Sequence, residues 1–367
     1  MTTSLAESAQ VFDVQALRWQ LTEERVHRKR RQREAAQALG ITEAQAVDCW
    51  VGQGATLTGQ TATALTSPAA VRLQGPFPDL IESLEPAGPM MALTRNESVV
   101  HEKTGVYRNA SHSGHMGLVL DEAIDLRLFY NRWAHGYWVE EPHDQGVTTS
   151  LQFFDSEGTA VHKIYTRPAT QVQALEQIVS RFIAPDQEPH ELAIEPIPPA
   201  NTVPDDDVDQ LSFQNEWLQM TDTHQFFGLL RRHQVGRVQA LRLAPSDYAK
   251  SLSNEATRMM LEKASAFRVP IMVFVSNKGC IQIHSGTVTR VEMMGPWLNV
   301  LDPDFNLHFR ADHIAQSWLV RKPTADGMVT SLEVFDAQGE TLAYFFGKRK
   351  PGVPEDSGWR ALVEALQ

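Results

Sequence analysis

GVTTSLQFFDSEG at residues 146–158 and GMVTSLEVFDAQG at residues 327–339 are one stretch written twice. A constant offset of 181 carries Gly146 to Gly327, Thr149-Ser150-Leu151 to Thr330-Ser331-Leu332, Phe154-Asp155 to Phe335-Asp336 and Gly158 to Gly339. Working outward, the same offset carries Met91 to Met272, Asn96 to Asn277, Gly105 to Gly286, Gly114 to Gly295, Leu120-Asp121 to Leu301-Asp302 and Pro142 to Pro323. Agreement at one fixed spacing over such a length marks an internal repeat. Within each copy, short apolar runs are punctuated by Gly, Asn and Asp, and DSEG at 155–158 has the chemistry of a hairpin turn, so the copies read as antiparallel meanders.

Helices flank both meanders. Val14 to Ala46 is helical in composition, with Gly40 ending one helix and Thr42 capping the next, and Val172 to Ile183 gives another helix. Residues 1–12 read as a mobile tail. Ala184 to Asp207 carries six prolines and the run Asp205 to Asp207, the composition of a linker. The order then repeats, with helices from Ser212 to about Ala266, strands from Ile271 to Phe346 and a last helix from Gly358 to Leu366. The expectation is a repeat at 1–183, a Pro/Asp-rich linker at 184–210 and a second repeat at 211–367.

The chain has 367 residues, 42% apolar and 21% charged, which is the composition of a folded soluble protein with ample core. Its formal charge of −12 disfavours nucleic acid as the main partner, since phosphate binding draws on clustered Lys and Arg. AAQALGITEAQA at 35–46 has the outline of a helix-turn-helix, but any two short helices joined through Gly share it. The basic run Arg28 to Arg33 reads as a solvated helix face, or as a docking patch for an acidic partner. Only Cys49 and Cys280 occur, neither in a CxxC motif, and no leader or membrane span is evident; a reducing cytoplasm is expected, without membrane insertion.

Function should lie where the copies differ. Arg127 faces His308 across the repeat, His101 faces Gln282, and Glu140-Glu141 faces Arg321-Lys322. In FQNEWLQMTDTHQFFGLL at 213–230, the residues Phe213, Trp217, Met220, His224 and Phe227 fall on one stripe if the helix is continuous, which points His224 inward. The helix also has a restart signal, Asp222 with Gln225 three residues on. An imidazole on an apolar stripe is either a satisfied core histidine or a ligand. Joined to a guanidinium and a basic strand end, it suits a large, partly apolar dianion carrying a metal, and haem has those properties. There is no P-loop, GxGxxG, GxSxG or HExxH motif. His112 and His115 have metal-like spacing without supporting ligands, and Cys280 reads as a packed strand thiol.

MALTRNESVVHEKTGVY (91–107), IDLRLFYNRW (124–133), EWLQMTDTHQFFGLLRRH (216–233), IMVFVSNKGCIQIHSG (271–286), GPWLNVLDPDFNLHFR (295–310), SWLVRKPTADGMVTSLEVFDAQG (317–339) and FFGKRKPG (345–352) resemble the bacterial haemin-degrading factor family, of the HemS/ChuS/HmuS type. The resemblance covers residues 15–366. It implies an α+β fold of two tandem repeats, each a large antiparallel β-sheet with flanking helices, in a cytoplasmic protein of haem uptake. Carried over by position, it implies His224 as proximal iron ligand, Arg127 as distal residue and Arg237, Lys322 and Arg349 near the propionates. It further implies His101 as ligand to a second haem. Phe346 departs from the pattern, since some relatives have tyrosine there. Two activities are implied. One is degradation of haem with O2 and an external electron donor, a reductase or small reductant; the other is delivery of haem from an importer to a separate haem oxygenase.

Overall fold

The computed structural model describes residues 13–55, 57, 67–198, 201–349 and 352–367; the tail read from residues 1–12 lies outside them. The first half runs α1 (Val14–Thr22), a π-helical turn, α2 (Gln32–Ala38), α3 (Glu43–Asp48), β1 (Ala69–Leu73), α4 (Phe77–Glu82), β2 (Met90–Arg95), β3 (Val99–Gly105), β4 (Ser111–Ser113), β5 (Met116–Leu120), β6 (Asp125–Phe129), β7 (His135–His143), β8 (Gly146–Phe154), β9 (Ala160–Thr166) and α5 (Val172–Val179). The second half runs α6 (Gln210–Leu218), α7 (Gln225–His233), α8 (Arg237–Arg242), β10 (Ala249–Leu252), α9 (Ala256–Ala266), β11 (Ile271–Ser276), β12 (Cys280–Gly286), β13 (Val291–Met294), β14 (Trp297–Leu301), β15 (Phe305–Arg310), β16 (Gln316–Thr324), β17 (Gly327–Phe335), β18 (Thr341–Gly347) and α10 (Ser357–Glu364).

The repeat is visible as two nine-stranded antiparallel sheets, and each borrows three strands from the other half. The first has the order β1-β7-β8-β9-β2-β3-β15-β14-β13, the second β10-β16-β17-β18-β11-β12-β6-β5-β4. The edge strands β1 and β10 are absent from the sequence reading, being short runs outside the main meanders. Gly114 and Gly295 occupy the same place in the two copies, with φ of 58° and 59°, a left-handed turn conformation that glycine adopts at no steric cost.

Helices α1–α3 cover one face of the first sheet, burying Leu21, Ala44 and Val47 against Tyr137 and Phe154. Helices α6–α8 cover the matching face of the second, with Phe213, Trp217, Phe226 and Leu229 against Val320 and Phe335. The opposite faces of the two sheets meet, so one apolar cluster joins Ala92, Leu151 and Ile164 of the first to Leu126, Leu128 and Cys280 of the second. Two aligned asparagines fasten this crossing reciprocally. Asn96 Nδ2 donates to the carbonyl of Leu342 at 2.8 Å, and Asn277 Nδ2 donates to those of Arg95 and Val161 at 2.9 and 2.8 Å.

The Pro-rich linker is tied down in its described part. Gln45 Nε2 donates to the carbonyl of Leu192, Arg72 Nη1 to that of Glu188, and the Ile197 N–H to Glu157. Helix α3 of the helix-turn-helix outline is largely buried, so it has no free face for a nucleic-acid groove. Among the described residues no helix is long and apolar enough to cross a membrane.

Candidate functional site

The stripe through His224 is broken. Helix α6 ends at Leu218 and α7 begins at Gln225, and the turn between them is pinned at both sides. Gln225 Oε1 accepts from the N–H groups of Thr221 and Asp222 at 2.9 and 3.4 Å, while the Thr221 carbonyl accepts from Ala325 at 2.8 Å in the β16–β17 turn. After the restart the core-facing residues are Phe226, Leu229 and Leu230, and Phe227 is 71% exposed. His224 therefore points outward, its side chain 92% exposed, which corrects the inward orientation expected from a continuous helix. The capping turn resets the helical phase.

Asp222 Oδ1 accepts from the His224 backbone N–H at 2.8 Å and from its ring Nδ1 at 2.6 Å. The backbone N–H first, and the ring second, hold the Asp222 carboxyl below its ordinary range against the opposing effect of burial.

Cross-strand pairs share a face, so register traces the surface beneath this turn. Trp318 opposes Glu333, Glu333 opposes Tyr344, Tyr344 opposes Phe274, Phe274 opposes Ile283, and Ser276 opposes Ile281, which in turn opposes Arg127. Helices α6–α8 cover this face at β16–β18. Beyond them Met272, Phe274, Ile281, Phe346 and Arg127 are only half-buried, leaving a partly open, mainly apolar surface. Arg127 reaches it because β6, a strand of the first repeat, is hydrogen-bonded to β12 of the second. Its guanidinium pairs with Asp125 and donates to the Leu126 carbonyl at 3.1 Å.

The basic residues divide into two groups. Arg237 and Lys322 are both committed to Glu333, a fully buried carboxylate. Arg237 Nε and Nη2 donate to its two oxygens at 2.8 and 2.9 Å, Lys322 Nζ donates at 2.5 Å, and Ser331 Oγ adds a bond at 3.0 Å. Burial opposes ionisation of Glu333, but the two cations outweigh it and hold the carboxyl at about 2. Burial pulls Lys322 down to about 8, with Glu333 resisting. Phe226 lies under both cations, 5.0 Å from Arg237 and 4.7 Å from Lys322. Both residues expected near the propionates are thus already paired with an internal anion. Arg349 makes no salt bridge among the described residues, and its charge acts on Asp222 and Glu355.

His101 lies apart from this site. It is fully buried on β3 where the sheets meet, its ring 4.9 Å from that of Phe305. The strand face that carries it is turned into the two-sheet core, so the imidazole expected to take a second haem is enclosed in this fold. His162 and His284 are buried near it, the first bonded to Thr94 and Tyr107, the second to Lys103. Cys280 packs beside Thr94 as expected of a strand thiol, and burial pushes it up to about 12. His112 bonds Glu82 at 2.6 Å on the β4–β5 hairpin.

Sequence reasoning missed Glu333 and the half-buried apolar face. Glu333 was findable, since it stands where the first copy has Gln152, a charge gained between repeats. The face was written in the alternation of IMVFVS at 271–276, but which alternate set is covered depends on the helices above.

The haemin-degrading HemS/ChuX domain model matches residues 54–182 and 234–366. The chain is 39% identical over 335 residues to the hemin transport protein HmuS of Yersinia pestis, covering 91% of this chain and 92% of that one. It is 40% identical over 317 residues to the hemin transport protein HemS of Yersinia enterocolitica, covering 85% and 91%. Among solved structures, holo-PhuS, a heme-binding protein from Pseudomonas aeruginosa, superposes with a TM-score of 0.90 at 40% identity, covering 97% of this chain and 99% of that one. ChuS, an E. coli heme oxygenase, superposes at 0.83 with 36% identity, covering 95% and 99%. Two matched domains, two strand-exchanged sheets and near-complete coverage by these relatives agree: the chain belongs to the haemin-degrading HemS/ChuX-domain family.

Proposed function

We propose that this protein binds haem on the uncovered face of the second sheet and degrades it with O2 and electrons from an external donor, releasing iron. The observations that carry the reading are an exposed imidazole tied through Nδ1 to a carboxylate at the start of α7, and an apolar face of the second sheet that also bears a guanidinium from the other repeat. Haem supplies, when bound, both the iron that engages O2 and the ring that is opened. His224 offers Nε2 to that iron. Arg127 donates guanidinium hydrogen bonds on the distal side. Met272, Phe274, Ile281 and Phe346 exclude water from the ring. Arg349 takes a propionate, with Arg237 and Lys322 contributing the net positive charge of their cluster. The heme oxygenase ChuS supports this reading.

The second reading is delivery of haem, from an importer to a separate oxygenase in the cytoplasm. The two hemin transport relatives favour it. An absorbance time course separates the two. Apoprotein is loaded with haemin, then given a reductant in air with catalase present to remove peroxide. Degradation predicts a Soret band that forms and decays with release of iron. A band that persists under these conditions contradicts degradation and supports delivery.

A further inference from the structure

We infer that Asp222 is a positioning residue for the haem iron, holding His224 in the Nδ1–H tautomer and turning its Nε2 lone pair outward. The inference rests on haem binding through His224 as proposed above. An ionised carboxylate only accepts hydrogen bonds, so in the 2.6 Å contact between Asp222 Oδ1 and His224 Nδ1 the proton belongs to the ring. In the neutral imidazole the other nitrogen, Nε2, then carries the lone pair. Its exposure leaves that lone pair open to a ligand.

Most other imidazoles of the described residues lack this combination. Both ring nitrogens of His162 are occupied, by Thr94 and Tyr107. His233 gives its Nε2 to Glu216. His112 does have a carboxylate on Nδ1, from Glu82, but it stands on an exposed hairpin at the far edge of the second sheet. At His224 the pair is held on a pinned turn. Asp222 also caps the His224 backbone, Gln225 closes over the turn, and Thr221 is bonded to Ala325 of the β16–β17 connection. Turning the ring over would break its 2.6 Å bond to Asp222.

A carboxylate on Nδ1 raises the donor strength of Nε2 and fixes the ring, the common outer-shell arrangement around metal-ligating histidines. The expected consequences are a stiffer iron–histidine bond and a ferric state favoured over ferrous. Removing the charge should weaken haem binding by about 10-fold.

The test compares haem-loaded wild type with Asp222→Asn and Asp222→Ser. Both variants keep an oxygen to cap the His224 N–H, so α7 should start where it does now, as far-UV circular dichroism will show. Resonance Raman of the ferrous complexes reads the iron–histidine stretch, and spectroelectrochemistry reads the ferric/ferrous potential. The inference expects a lower stretching frequency and a higher potential in both variants. Unchanged stretch and potential, with wild-type spectra lost in His224→Ala, would overturn the role of Asp222 and leave His224 as ligand. An unchanged Soret band in His224→Ala would instead overturn the haem-ligand reading and this inference with it.

Discussion

Glu333 shows how one residue can decide the character of a site. It lies fully buried between Arg237 and Lys322, and with one anion for two cations the cluster keeps a net positive charge. Replacing it by glutamine leaves the buried Lys322 and the partly buried Arg237 without a counter-charge, and loss of one partner of a buried pair typically costs about 3–5 kcal/mol. Glu333→Gln should lower the urea midpoint accordingly; an unchanged midpoint would show that water already screens the cluster. Arg127 makes a different prediction, because its partner Asp125 is a neighbour on its own strand and its side chain is about 31% exposed. Arg127→Ala should leave folding and haem affinity nearly unchanged while slowing haem loss under reductant in air, read from the Soret decay. Wild-type decay in this variant would remove Arg127 from the distal role. The sequence singled out His224 and Arg127 as candidates, but the orientation of His224 was not legible in it. Periodicity gives an angle only within one unbroken helix, and the capping turn at Asp222 interrupts the phase between Trp217 and Phe226.

Among the elements, the exchanged strands carry the most consequence. Strands β4–β6 belong by sequence to the first repeat and by hydrogen bonding to the second sheet, and β13–β15 reverse the relation. The offset of 181 revealed two equal units, but it could not reveal exchange, because a strand keeps its own pattern whichever partner it pairs with. The long meander strands were legible from their alternation and turn residues. The short edges β1 and β10 were not, since runs of five and four residues hold too little periodicity. The crossing depends on Asn96 and Asn277. Asn277 Nδ2 serves two carbonyls while its Oδ1 accepts from the N–H groups of Gly279 and Cys280. Asn277→Ala should therefore destabilise the chain by about 1–3 kcal/mol, through carbonyls and amides left without partners. The same substitution at Asn96 should act in the same direction. A loss below a few tenths of a kcal/mol in urea unfolding would place the strength of the crossing in apolar contact alone.

The whole molecule has an acid-sensitive centre. His101, His162 and His284 are enclosed where the sheets meet, and burial holds all three below the ordinary histidine range, His162 and His284 at about 3. Lys103 adds repulsion for His101 and His284. A depressed histidine means that the unfolded chain takes up protons the folded chain refuses. Stability is complete above the ordinary pKa near 6.5 and falls as pH drops from there towards about 3, by about 1.4 kcal/mol per pH unit for each histidine. The Glu333 contribution follows at lower pH, being lost as its carboxyl is protonated between about 4.5 and about 2. Urea midpoints should thus decline steadily between pH 6.5 and 4.5, before ordinary carboxylates contribute. Because each sheet needs strands of both repeats, fluorescence and far-UV circular dichroism should also report one coincident unfolding transition. Separate transitions for the halves would contradict the exchange.

The central claim is that His224, exposed at the start of α7 and held by Asp222, takes the iron of haem. The most direct measurement is a haemin titration of wild type and His224→Ala, followed at the Soret band under identical conditions. The account predicts a saturable band in wild type at one haem per site, and in the variant a displaced band with weaker binding. Identical spectra and affinity in the two proteins would contradict it, and would move the iron to another part of the fold.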